Sequence, residues 1–243
     1  MGEKKKLCVV SGASGDIGVA ICRQLLEAEY RVIAIYGRNA KPLDALSDHT
    51  ADLLPVSCPF GDPLVTQSAL KETLKPYKSI DALVCCAGTT IRKPAMLTGA
   101  SEIADLMSIN FMSAVSLTQL VLRRMIAQGA GAIVYVGSRA GTYGLAGQAA
   151  YAATKGAIAS YAMSLAQEVG PKNITVNVIA PGAVQNLVNP KYSAEEDEIV
   201  RSMIALRRLA EPSEIAELAA LLVSRRVSYV TGAIIPIDGG ARF

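Results

Sequence analysis

The sequence predicts an α/β protein: a single doubly wound parallel sheet of about seven strands with helices on both faces. Three observations carry this. Short runs rich in Val, Ile and Leu alternate along the chain with longer amphipathic segments, without a break in composition. Those runs are continuously apolar instead of alternating with polar residues, as strands are when helices cover both faces of the sheet. And 243 residues, 51% of them hydrophobic and none of them Trp, suffice for one core of aliphatic side chains, so residues 1–243 read as one domain without linker or repeat.

The first strand, Leu7 to Val10, follows the solvated run Lys4-Lys5-Lys6 and leads through Ser11-Gly12-Ala13-Ser14-Gly15-Asp16-Ile17-Gly18 into a helix ending at Glu29. Glycines between a first strand and a first helix permit a tight turn, and the free amides of the helix start attract a pyrophosphate. Gly12, Ser14, Gly15, Asp16, Ile17 and Gly18 therefore read as a dinucleotide cradle of the Rossmann type. The second strand, Val32 to Tyr36, ends at Gly37-Arg38. A carboxylate here would hold the ribose of NAD; Gly37 has none, and Arg38 suits a 2′-phosphate, which favours NADP(H), the alternative being an ordinary surface arginine. A third strand, Leu53 to Val56, precedes a helix from Pro63 to Lys75, and a fourth, Ala82 to Cys86, runs into Ala87-Gly88 and a long helix from Ser101 to Gln128. Ile133 to Val136, Thr175 to Ile179 and Ala233 to Ile237 are the remaining strands, separated by helices from Gln148 to Val169 and from Ser213 to Ser224. Pro236 lacks the donor a central ladder needs and puts the last strand at an edge. In such a sheet the ligand crevice lies at the carboxyl ends of the strands.

Ser138 closes the fifth strand, thirteen residues before Tyr151, and Lys155 follows Tyr151 by four. That spacing puts Tyr151 and Lys155 on one helical face, where the ammonium makes an ionised phenol less costly. Ser138, at a strand end facing the same crevice, can hold a carbonyl oxygen, so the trio can move a proton onto a carbonyl. Other chemistries fit poorly. The single histidine, His49, lies in a polar stretch, which leaves neither a Ser-His-Asp hydrolase nor a histidine metal site. A net charge of +3 does not argue for nucleic acid, and no long apolar run, signal peptide or lipidation motif points to a membrane. Five cysteines without a Cys-x-x-Cys pair read as buried reduced thiols, which fits a cytoplasmic protein.

These residues, with Asn110, Asn177, Pro181-Gly182, Tyr229-Val230-Thr231-Gly232 and Asp238-Gly239-Gly240, resemble a classical short-chain dehydrogenase/reductase over about residues 5 to 240. Gly147 to Tyr151, Asn173 to Val178 and Arg208 to Ala216 are most similar to the 3-oxoacyl-(acyl-carrier-protein) reductases. The resemblance implies that Tyr151 donates the proton, Lys155 eases its ionisation and binds the nicotinamide ribose, Ser138 orients the carbonyl, and Asn110 holds a water in a proton relay. A helix asparagine bonded to backbone is the other reading of Asn110. Ala87, Gly88, Pro181, Gly182 and Val184 complete the cofactor site of the family. The implied reaction is NADPH-dependent reduction of a 3-oxoacyl thioester in fatty acid or polyketide biosynthesis. A secondary-alcohol or small-ketone dehydrogenase and a cofactor-binding protein without turnover are the alternatives. The family also implies a homotetramer, a substrate lid over Val184 to Leu206, and docking of an acidic acyl-carrier protein at Arg123, Arg124 and Lys172, which otherwise read as solvated helix ends. Four positions depart from the family pattern: Asp16 replaces a glycine, Cys85-Cys86 replaces two asparagines, the adenine-facing aspartate is absent with Asp62 its one nearby substitute, and Asn186 replaces a threonine.

Overall fold

The computed structural model describes residues 5–48, 50–185 and 193–242; His49, Asn186 and the rest of the expected lid up to residue 192 lie outside them. Seven parallel strands form one sheet in the order β3-β2-β1-β4-β5-β6-β7. They are β1 (Leu7–Ser11), β2 (Arg31–Tyr36), β3 (Leu53–Ser57), β4 (Ala82–Cys85), β5 (Gly131–Val136), β6 (Ile174–Pro181) and β7 (Ile234–Ile237). The helices are α1 (Asp16–Glu27), α2 (Lys41–Ser47), α3 (Pro63–Leu74), α4 (Ala100–Met107), α5 (Ser113–Gln128), α6 (Ala140–Tyr143), α7 (Ala149–Val169), α8 (Ala194–Ser202) and α9 (Pro212–Val223).

The two-residue period of each strand divides the core. Val9, Ile33, Ile35, Leu83, Ile133 and Tyr135 face one side, where α3, α5 and α7 bury Leu70, Leu117, Val121, Met125, Ile158 and Leu165. Cys8, Val10, Val32, Ala34, Val84 and Val134 face the other, against Ile21 and Leu25 of α1 and Ile215 and Ala219 of α9. Continuous apolar strands are thus the consequence of helices on both faces. Residues Ala100–Gln128 are long and apolar enough to cross a membrane by composition, yet the α5 face carrying Leu117, Val121 and Met125 is fully buried in this core.

Pro236 does lie on an edge strand. Ala233 and Ile237 give their carbonyls to Val178 of β6 and to Gly182 just after it, so the intervening even position turns the missing donor of Pro236 outward. Asn177, buried, explains part of the following motif: its amide accepts from Ala233 N and donates to the Val230 carbonyl, fixing the turn that starts β7.

The helix expected over Ser101 to Gln128 is not one α-helix. A π turn at Ser108–Met112 separates α4 from α5 and has Asn110 at its centre. Three helices, α2, α6 and α8, were not expected. Asp62 is the N-cap of α3, its Oδ1 accepting from the amides of Leu64 and Val65 at 2.8 and 3.1 Å, so this carboxylate starts a helix.

Candidate active site

The start of α1 and the carboxyl ends of β4, β5 and β6 line a cavity of about 860 Å3, whose wall includes Ile17, Ser138, Tyr151, Lys155, Pro181, Gly182 and Val184. Each feature has a local cause.

The glycine turn is a close-packed object. Gly12 has φ +67°, and a Cβ there would lie 2.5 Å from the Ala87 nitrogen; a Cβ on Gly18 would lie 2.1 Å from the Gly12 oxygen. Side chains at either place would push β1, α1 and the β4 exit apart. Ser14 lies within this turn, which closes as the Gly15 amide donates to the Gly12 carbonyl at 3.1 Å. Gly15 then caps α1 and leaves the first-turn amides of Asp16, Ile17 and Gly18 without helical partners. Those amides fit a pyrophosphate. Asp16 opposes it, because its carboxylate already sits at the positive end of the helix. At the β2 exit, Arg38 is exposed, and the Ala13 amide bonds the Ile35 carbonyl at 3.0 Å to hold this exit beside the turn. The residues present thus fit a dinucleotide, Asp16 being the element that does not.

Ser138 is held from both sides. Gly137 N donates to the Ile179 carbonyl at 2.7 Å and Arg139 N to the Pro181 carbonyl at 2.9 Å. Its Oγ accepts the Ala140 amide at 3.2 Å, which leaves the hydroxyl hydrogen to donate to a ligand in the cavity. Gly141 brings this loop onto α7: a Cβ there would meet Cβ of Lys155 at 2.8 Å. Lys155, 6% exposed, donates to the Val136 carbonyl at 2.8 Å and stands 5.8 Å from the centre of the Tyr151 ring. One of three ammonium hydrogens is used there; two are free for a ribose and for the phenol side.

Asn110 does not line the cavity but holds its wall. Its Oδ1 accepts the Thr89 amide at 2.8 Å, and its Nδ2 donates to the Thr89 carbonyl at 2.9 Å and to Thr154 Oγ1 at 3.0 Å. Thr154, fully buried, donates its own hydroxyl hydrogen to the Tyr151 carbonyl at 2.8 Å. A Cβ on Gly88 would lie 3.3 Å from Asn110 Oδ1 and 3.4 Å from Lys155 Nζ, so glycine lets the β4 exit run between the two. The π turn and α7 are thereby joined through a satisfied buried network. Sequence reasoning missed Thr154, although it stands next to Lys155.

Cys85, in place of one amide, is buried, whereas Cys86, in place of the other, is only half-buried and lines the cavity, against the expectation of a buried thiol; desolvation pushes the two up to about 12 and about 11, with the Lys155 charge pulling both the other way. All five cysteines are free, and among the described residues no group of three His, Cys, Asp or Glu side chains is placed to hold a metal.

The basic residues expected to dock a carrier fare differently. Arg124 is a clamp: its guanidinium donates to the carbonyls of Tyr77, Leu120 and Leu74 at 2.8, 2.7 and 2.9 Å, closing the end of α3. It has little left for a partner, which corrects its assignment as a docking residue. Arg123 and Lys172 are exposed, at the end of the sheet where strands begin. The cavity opens at the other end, the six residues of β5 or about 20 Å away.

Residues 6–197 match the family model for short chain dehydrogenase. The chain is 35% identical over 237 residues to carbonyl reductase family member 4 of Xenopus tropicalis, covering 97% of each protein. It is 33% identical over 243 residues to the 3-oxoacyl-(acyl-carrier-protein) reductase FabG of Vibrio cholerae, covering 99% of this chain and 98% of that one. A solved short-chain dehydrogenase/reductase from Serratia marcescens superposes with a TM-score of 0.88 at 28% identity over 97% of both chains. A parallel sheet with a glycine turn at β1, the Ser138, Tyr151 and Lys155 cavity wall, and relatives matched from end to end agree on one assignment: the chain belongs to the short-chain dehydrogenase/reductase family and is an oxidoreductase.

Proposed function

We propose that this oxidoreductase is an NADPH-dependent ketoreductase that converts a 3-oxoacyl thioester, carried on an acyl-carrier protein, to the 3-hydroxyacyl product in the cytoplasm. The observation that carries the reading is the meeting of Ser138, Tyr151 and Lys155 in one cavity that also reaches Ile17 at the start of α1. Gly12, Ser14, Gly15, Ile17 and Gly18 would hold the pyrophosphate, Arg38 the 2′-phosphate, Lys155 the nicotinamide ribose, and Ala87, Gly88, Pro181, Gly182 and Val184 would line the rest. NADPH, when bound, supplies the hydride.

The protein's own part is the proton. Ser138 donates its hydroxyl hydrogen to the carbonyl oxygen and fixes its position, while the Tyr151 phenol gives the proton that oxygen takes up. The Lys155 charge, buried beside the ring, stabilises the phenolate left behind. Asn110 keeps the Thr89 wall and the Tyr151 turn in register through Thr154, and the π turn would hold the relay water that the family resemblance implies. Leu145, Ile199, Val200 and Met203 give the cavity an aliphatic side that suits an acyl chain.

The FabG relative bears a carrier-linked activity in its name, and the Xenopus relative a carbonyl reductase. One feature favours the second reading, a small-ketone or secondary-alcohol dehydrogenase: Arg124 is spent internally, and Arg123 and Lys172 face away from the cavity of their own subunit. A panel of carrier-bound, coenzyme-bound and free 3-oxo substrates, run with NADPH and NADH, tests both. The proposal requires fastest turnover with NADPH on a thioester and a 3-hydroxyacyl product; preference for free ketones would replace it with the second reading, and cofactor binding without any turnover would make the chain a non-catalytic member.

A further inference from the structure

Arg139 follows Ser138 directly and lines the same cavity, yet its guanidinium is turned into the protein. Its Nε lies 2.6 Å from Asp238 Oδ2, both side chains being nearly buried at 14% and 12% exposure. The Nε–H does not aim along that line, so the contact is a charge pairing more than a hydrogen bond. The guanidinium carbon stands 3.8 Å from the centre of the Tyr143 ring, and Nη2 donates to the Ala241 carbonyl at 3.3 Å.

Asp238 opens a two-glycine turn that touches two other walls of the cavity. Its Oδ1 accepts the Gly240 amide at 3.0 Å, and its Cβ would come within 2.8 Å of any Cβ on Gly182. Beyond it, the Gly239 carbonyl accepts from Leu206 N and Arg242 N donates to the Met203 carbonyl, at 3.1 and 2.9 Å. Ala241 packs in a small cluster with Ile204 and Val200. Val200 of α8 and its C-cap Met203 line the same cavity as Ser138. One ion pair therefore connects the Ser138 loop, the β6 exit and the end of α8.

We propose that Arg139 and Asp238 are positioning residues: their pairing sets the distance between the Ser138 hydroxyl and the α8 wall, so that a substrate chain seated on α8 presents its carbonyl to Ser138 and Tyr151. The idea rests on the ketoreductase reading given above. A buried pair of this kind is not needed for stability alone, since removing both charges is often neutral whereas removing one leaves the other stranded. That asymmetry separates positioning from scaffolding.

The test compares Arg139→Met, Arg139→Lys and the double variant Arg139→Met with Asp238→Asn against wild type, using NADPH and acetoacetyl-coenzyme A, with NADPH affinity by fluorescence and the melting temperature measured in parallel. Misplacing a reacting group by an ångström can cost about 10²-fold. The expected result is a kcat loss of that order in Arg139→Met with NADPH affinity nearly unchanged, partial recovery in Arg139→Lys, and a double variant that regains the melting temperature but not kcat. A larger isotope effect with 4-deuterated NADPH should accompany the loss, because hydride transfer to a misplaced carbonyl becomes limiting. Recovery of kcat together with stability in the double variant, or an unchanged kcat in Arg139→Met, overturns the proposal; if Arg139→Met does not fold, the Lys and double variants decide. Wild type without reductase activity would instead refute the underlying reading, and wild type active only on a free ketone moves the same comparison to that ketone.

Discussion

At the scale of single residues, the cofactor site sets two charges against each other. Asp16 places a carboxylate where the cradle amides await a pyrophosphate, and Arg38 offers a cation at the β2 exit. If Arg38 reads a 2′-phosphate, Arg38→Ala combined with Gly37→Asp moves preference from NADPH towards NADH, by tenfold or more where a charged hydrogen bond of about 1.5–3 kcal/mol is lost. The ratio of the two dissociation constants, measured by fluorescence titration, checks this. A constant ratio would make Arg38 a surface charge. The meeting of Ser138, Tyr151 and Lys155 in one cavity was legible in the sequence because spacing and strand ends fix where such residues go. Arg124 was not: charge near a helix end looks alike in sequence whether it meets solvent or three carbonyls. Asp62 could not be placed from sequence because the register after β3 was open; the structure makes it the cap of α3, ahead of Pro63.

At the scale of elements, the strands were read almost to the residue, because burial on both faces leaves an unbroken apolar run. α8 escaped because Ala194–Ser202 is polar nearly all round and is organised by its capping box, Ser193 with Glu196, more than by an apolar stripe. The π turn escaped because no composition marks it; it exists where Asn110 bonds to Thr89 and Thr154. α9 shows what a cap contributes. Glu214 accepts the Glu211 amide at 2.8 Å and forms a two-point pair with Arg208 at 2.6 and 2.7 Å, which holds its carboxyl at about 2, well below the ordinary 4.5. A depressed carboxyl stabilises the fold above its ordinary range and loses that contribution as pH falls towards 2. Because the pair is largely exposed, Glu214→Gln should cost only about 1 kcal/mol at pH 7. In urea unfolding the deficit should shrink between pH 4.5 and pH 2; a deficit that stays constant with pH would mean packing, not charge, is responsible.

At the scale of the whole molecule, two apolar surfaces lack cover within one chain. Ile126 and Met163 are exposed on α5 and α7, as are Leu221 on α9 and Tyr229 ahead of β7. If each face pairs with its own copy, as the family resemblance implies, the assembly is a tetramer with two axes, and light scattering should return four times the 25.5 kDa chain mass. Association would also bring Arg123 and Lys172 near a neighbouring cavity or leave them remote, and a mass of one chain at all concentrations would leave only the remote arrangement.

One proton decides the proposed reaction. Tyr151, Ser138 and Lys155 line one cavity, and the proposed reaction makes the Tyr151 phenol the acid to a carbonyl held by Ser138. Turnover of a 3-oxoacyl thioester by Tyr151→Phe, measured beside NADPH affinity, tests this most directly. The expected result is NADPH binding as in wild type with kcat lower by about 10²–10⁴-fold; turnover by this variant at near the wild-type rate would contradict the assignment, because the proton would then come from elsewhere.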